Sequence, residues 1–286
     1  MNATRLGHFA GGLGLLFSAT CPIVAATGAQ VQARVDADVA NGKPIVVHVV
    51  VALCDNENQG IVPVPAKLGD GQEPRSNLYW GALYGVKTHF SSHGWRSLAS
   101  DKPADERILR RIVFFQTLTR GDQNVPVYVV ADAWDGAKIR GALARFLAMT
   151  TGDASETVRT GGDDPSIEIH AGGSAHLLAF VGHNGLMDFD LPRPADPPDE
   201  QSPRSSVVLA CASKEYFLDR LESAKAHPLL LTTGLMAPEA YTLDAVVRRW
   251  VVDGSTDVVR EAAAEAYDRY QKCGIRAARN LFWGAP

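Results

Sequence analysis

Two side chains in this sequence have the types and setting for nucleophilic chemistry. His183 follows the apolar run AHLLAFVG, and Cys211 follows the apolar run SSVVLA. A thiol attacks as its thiolate, and a free cysteine has a pKa of about 8.5, so it needs a base or a positive environment. A histidine takes up the thiol proton, and a helix N-terminus just after the cysteine adds its positive end. The polar, amphipathic stretch SKEYFLDRLESA directly after Cys211 predicts such a helix. If the two apolar runs are neighbouring parallel strands, both residues fall at one sheet edge, where ligands collect in open α/β folds. Thiol acyl transfer is the chemistry this pair would perform.

The remaining elements must hold that edge. Pro44 opens IVVHVVVALCDN, whose β-branched core from Ile45 to Val51 predicts a strand buried on both faces. His48 lies inside it and reads as a satisfied core residue, while Asp55 and Asn56 follow it at a sheet edge. A short helix is expected over 78–90, capped by Ser76 or Asn77. Strands are expected over 111–118 and 125–131. Ile139, Ala142, Leu143, Phe146 and Leu147 share one helical face. Residues 150–166 read as a loop, and 167–170 as a short strand hairpinned through Gly172-Gly173 to 175–182. After the helix behind Cys211 come a strand over 228–233, a helix capped by Thr242, and a last helix capped by Ser255. Strands alternating with amphipathic helices predict an α/β fold, a mostly parallel sheet with helices on both faces. No repeat or composition break divides residues 44–286, which read as a single domain behind a polar segment at 30–43.

Bulk properties narrow the function. With 46% hydrophobic and 21% charged residues the chain has a globular composition. A formal net charge of −4 and no basic stripe or nucleic-acid motif exclude nucleic acid as the expected partner. Residues 1–29 have the layout of a signal peptide: Arg5, an apolar stretch from Leu13 to Ala26, and small residues at Val24-Ala25-Ala26 and Thr27-Gly28-Ala29. An exported protein, periplasmic or secreted, is therefore expected. The alternative is an N-terminal membrane anchor, with no span after the signal. Beyond it Cys54, Cys211 and Cys273 remain. An odd number leaves at least one unpaired, and Cys54 with Cys273 is the candidate disulfide. No C-x-x-C spacing supports a zinc site, so neither metal nor cofactor is expected. No G-x-S-x-G elbow supports a serine hydrolase.

FVGHNG and VVLACAS together resemble the caspase–hemoglobinase group of cysteine peptidases, which includes caspases, metacaspases, legumains, gingipains and clostripain. That group carries an apolar strand ending in His-Gly and a later one ending in Ala-Cys. The likeness extends more loosely over 44–250, through IVVHVVVALCDN, VPVYVVADAWDG and PLLLTTG, in the same order of elements. It implies a caspase-like three-layer sandwich and a cysteine endopeptidase acting on a peptide or protein, with His183 and Cys211 as catalytic dyad. Backbone N–H groups of Cys211 and of Gly185 or Asn184 would stabilise the oxyanion. The sequence departs from the group twice. Asn184 stands between His183 and Gly185, and Leu209 occupies a place often held by a polar residue that touches the substrate. Asp55 offers another contact for a basic substrate residue. Ser92-His93-Gly94 is a competing His-Gly with no apolar strand before it. The alternative reading is a catalytically inactive caspase-like domain serving in binding or assembly.

Overall fold

A computed structural model describes Met1 and residues 26–100, 103–161, 167–194, 197–198 and 201–286. The export-signal expectation lies mostly outside these residues. The helices are α1 (Gly28–Ala40), α2 (Val86–Ser92), α3 (Ile139–Thr150), α4 (Ser213–Ser223), α5 (Ala240–Val252), α6 (Thr256–Gln271) and α7 (Ile275–Leu281). The strands are β1 (Ile45–Ala52), β2 (Arg96–Ser100), β3 (Ile108–Arg120), β4 (Gln123–Trp134), β5 (Glu156–Gly161), β6 (Glu168–Ala171), β7 (Leu177–Val181), β8 (Ser205–Leu209), β9 (His227–Thr232) and β10 (Phe282–Trp283). They form one sheet in the order β10-β9-β8-β7-β1-β4-β3-β2-β5-β6.

The chain is α/β, but the sheet is mixed rather than mostly parallel. Parallel pairing is confined to the block β9-β8-β7-β1-β4. The β3–β4, β2–β3, β2–β5, β5–β6 and β9–β10 pairings are antiparallel. The reason is local. Arg120 pairs with Gln123, so only Gly121 and Asp122 connect β3 to β4, and Gly121 takes φ +56°. A parallel neighbour needs a crossover of a dozen or more residues, which a two-residue turn excludes.

Continuous apolar runs mark the parallel block. All of β1, β7, β8 and β9 is buried. Val47, Val49 and Val51 face one apolar cluster with α1, α2, α5 and α6. Val46, Val50 and Ala52 face the other, with α3 and α4. Helices therefore cover both faces of this block.

Other departures follow from weak patterning. The helix expected over 78–90 begins only at Val86: Asn77 does accept from the Tyr79 N–H at 3.1 Å, but the chain then runs through turns in which the Trp80, Gly81 and Ala82 N–H groups all donate to Asn77 O. Residues read as polar N-terminal segment form α1. Thr27 and Gln30 close a capping box, with bonds of 3.2 and 2.8 Å, and Val31 and Val35 reach the core. β5 arises where a loop was expected, with Val158 as its buried anchor. β6 pairs with β5 rather than with the strand after Gly172-Gly173. Gly172 takes φ +62° against the carbonyl of Ala154, and a 3-10 turn then delivers the chain to β7 beside β1. α5 starts after Glu239, leaving Thr242 buried inside it. No helix among the described residues is long and apolar enough to cross a membrane.

Candidate active site

β7 and β8 lie side by side in parallel, with Val181 opposite Leu209. The ladder continues for one residue beyond, where the Gly182 N–H donates to Leu209 O at 3.2 Å. A Cβ on Gly182 would stand 2.8 Å from the carbonyl oxygen of Ala52, and its φ is +150°, so this crossing beside β1 requires glycine. Both strands then end in step. His183 and Cys211 each stand two positions beyond the last paired residue of their strand.

His183 is largely buried, and its Nε2 lies 2.6 Å from Asp188 Oδ2. A neutral imidazole that donates through Nε2 to this carboxylate keeps its lone pair on Nδ1. Asp188 follows a 3-10 turn at Gly185–Met187, which brings it back to the ring. Asn184 is fully buried between the two loops. Its Nδ2 donates to Cys211 O at 2.7 Å, and its Oδ1 accepts from the Leu186 N–H at 3.2 Å. Asn184 is thus the clamp between the histidine and cysteine loops. The Gly185 N–H is used by His183 O at 3.1 Å. Among the described residues the Asn184 and Cys211 N–H groups have no hydrogen-bond acceptor.

Cys211 is partly exposed. Its thiol donates to Met236 O at 3.6 Å and accepts from the Met236 N–H at 3.4 Å. No hydrogen bond joins it to the His183 ring. After it, Ala212 takes left-handed angles (φ 48°, ψ 33°) and begins α4. A non-glycine residue held there costs about 1 kcal/mol or more. The Ala212 N–H to Gly234 O bond of 2.8 Å helps to hold it. Ser213 and Thr232 interlock beneath the turn, and Thr232 Oγ1 also donates to Ala210 O. This support sets the thiol just ahead of the N-terminus of α4.

The other thiols differ. Cys54 is buried at the end of β1, and burial pushes its thiol up to about 11. Cys273 is exposed, and the pairing open to Cys54 and Cys273 is not formed: Cys54, Cys211 and Cys273 are all free. Tyr79 is buried beside Cys54 and within electrostatic reach of Cys211 and Glu239. Glu239 accepts from Tyr241 at 2.9 Å and Gln271 at 3.1 Å, and burial raises its carboxyl above the ordinary range.

The residues expected to contact substrate are placed otherwise. The Asp55 carboxylate is taken up by the Glu57 and Asn58 N–H groups and by the side chains of Asn58 and Gln72, all within 3.0 Å. Asn56 is tied to the backbone of Val64. Leu209 is buried in the core. Each is committed to the fold and offers no open contact. His93 ends α2, stacked 3.8 Å from His89.

One cluster has metal-ligand types: His48, Asp132 and Glu156 lie with donor atoms within 4.8 Å of each other. Their lone pairs are already answered. Arg111 spans both carboxylates at 2.6 to 3.2 Å, and Arg145 adds a contact to Glu156. His48 accepts from the Gly172 N–H at Nδ1 and meets Asp132 through Nε2. Burial opposes ionisation of Asp132, but the bonds from Arg111 and His48 outweigh it and hold the carboxyl below its usual range. The cluster works as a buried ion-pair network.

Asp188 and the Met236 backbone are the site groups that spacing alone did not reveal. Asp188 stood five positions after His183 in MDFDLP, and only the 3-10 turn shows that it folds back. No protein-family model, curated protein or solved structure matches this chain.

Proposed function

We propose that this chain is a cysteine peptidase, or a related acyl-transferring hydrolase, of caspase-like three-layer architecture, working through His183 and Cys211 on a peptide or protein substrate. The observation that carries the reading is the register: adjacent parallel strands end in step, with an imidazole on one and a thiol on the other. Asp188 engages Nε2, which leaves Nδ1 for the role of base.

In the reaction, the Cys211 thiol proton passes to His183 Nδ1 as sulfur bonds to the substrate carbonyl carbon. The N–H groups of Cys211 and Asn184, both without other acceptors among the described residues, receive the oxyanion. The Gly185 N–H is already used and drops out of that role. Collapse of the tetrahedral species breaks the C–N bond, and Nδ1–H protonates the leaving amine. Water, deprotonated by Nδ1, then cleaves the thioester and restores the thiol. The Met236 backbone must release the thiol when substrate enters.

A second reading is an inactive caspase-like binding domain. It is favoured by the thiol's engagement with Met236 instead of His183. Competitive alkylation separates the two. With iodoacetamide at pH 7, exposed Cys273 serves as the ordinary-thiol reference and buried Cys54 as the inert one. The peptidase reading expects Cys211 to label faster than Cys273 despite its lower exposure, with the advantage lost in His183→Ala. Labelling of Cys211 slower than Cys273 in both proteins favours the inactive domain.

A further inference from the structure

Apart from the Cys211 edge, α2, α5 and α6 border an open cavity of about 360 Å³. That lies within the ~300–1,000 Å³ of small-molecule sites. Its room comes from sequence: Ala245, Ala262 and Ala266 line it where longer side chains would close the gap between α5 and α6. Tyr241 and Tyr270 form one wall, stacked 4.2 Å apart.

The charges around it are unbalanced. Arg248, Arg249 and Arg269 all border the cavity, with Asp244 and Glu265. Asp244 is fully used: it accepts from Trp95 Nε1 at 2.8 Å and Arg248 Nε at 2.7 Å, and meets His89 Nε2 at 3.3 Å. Arg248 is held further by His93 O at 2.6 Å. Glu265 is exposed on the same rim and has no hydrogen bond or ion pair among the described residues, so one unpaired carboxylate stands there against two unpaired guanidiniums. Arg249 and Arg269 are exposed and have no ion pair or hydrogen bond among the described residues. His89, buried on the same wall, has no partner at Nδ1. The whole chain carries −4, so two unanswered guanidiniums at one cavity are no by-product of a basic surface.

We propose that this cavity binds a small molecule through an oxyanion, a phosphate or a carboxylate, gripped by Arg249 and Arg269 against the tyrosine wall. The guanidinium fork matches either group with paired N–H bonds. The site is independent of the chemistry assigned to Cys211.

The test is calorimetric titration of the full chain with inorganic phosphate and, separately, with citrate, ionic strength being held constant with chloride. Wild type is expected to bind at least one of them saturably, and the responding arm identifies the group. Arg249→Gln/Arg269→Gln is expected to weaken binding about tenfold or more. Arg159→Gln, an exposed arginine on β5, serves as the charge control and should bind as wild type. Both cavity arginines are exposed, so the double variant should melt like wild type. No saturable binding of either anion, or equal binding by the double variant, overturns the proposal.

Discussion

Asn184→Ala tests whether this side chain clamps the histidine and cysteine loops together. The side chain is fully buried and satisfies two groups: Cys211 O at 2.7 Å and the Leu186 N–H at 3.2 Å. Removing it leaves both unpaired. A buried polar group without a partner costs about 1–3 kcal/mol, so two groups at about 1–2 kcal/mol each, the lower half of that range, give about 2–4 kcal/mol. For a chain of this size that lowers Tm by about 4–8 °C. The functional effect is separate. Asn184 ties the histidine loop to the cysteine loop, so its loss should slow Cys211 alkylation relative to Cys273 about tenfold, or ~1.4 kcal/mol of lost positioning. Asn184→Asp sharpens the test, because it keeps the acceptor for Leu186 while setting an oxygen against Cys211 O. It should slow Cys211 as Ala does. Differential scanning calorimetry with peptide mapping reads both effects. Wild-type labelling in both variants would refute the clamp, whatever happened to Tm.

Further outcomes follow from other buried groups. Burial lowers His176 and His227 from 6.5 to about 4, and the His176 Nδ1 is already occupied by the Val46 N–H. Between those pH values the unfolded chain binds protons that the folded chain refuses, so stability falls as pH drops from 6.5 towards 4 and is flat above. At ~1.4 kcal/mol per pH unit each histidine contributes about 3 kcal/mol to that loss. In His176→Gln, urea denaturation should show roughly half the acid loss; an unchanged pH slope would contradict this. Arg111→Met strands the buried Asp132 and should destabilise by about 3–5 kcal/mol in denaturant melts, far more than a surface arginine. A loss below about 1 kcal/mol would show that the network is not held by Arg111. If residues 1–29 include an export signal, N-terminal sequencing of exported protein should find cleavage after Ala26. Cleavage after Ala29 would delete the Thr27 cap that closes α1.

The legible parts of the fold were those with strong patterning. β1, β7, β8 and β9 are apolar runs buried on both faces, and α3 and α5 have clear apolar stripes. α1 escaped because it sends only Val31 and Val35 inward, and β5 because one valine anchors it. The parallel-sheet expectation failed at Gly121-Asp122, where two residues reverse the chain with no helix between. His183 and Cys211 were legible as strand-end residues. Asp188 and the Met236 backbone were not, because a 3-10 turn and a loop from another part of the chain bring them in. Asp55 looked available in sequence because its partners, the Asn58 and Gln72 side chains and two backbone N–H groups, lie in a loop whose course residue types do not encode.

The most direct test of the central claim is covalent trapping with a peptidyl acyloxymethyl ketone library, which requires a positioned thiolate. Native protein should gain one adduct, mapped to Cys211, with none in His183→Ala and none after unfolding. Adducts on exposed Cys273 with Cys211 unmodified, or equal trapping in His183→Ala, would contradict the account.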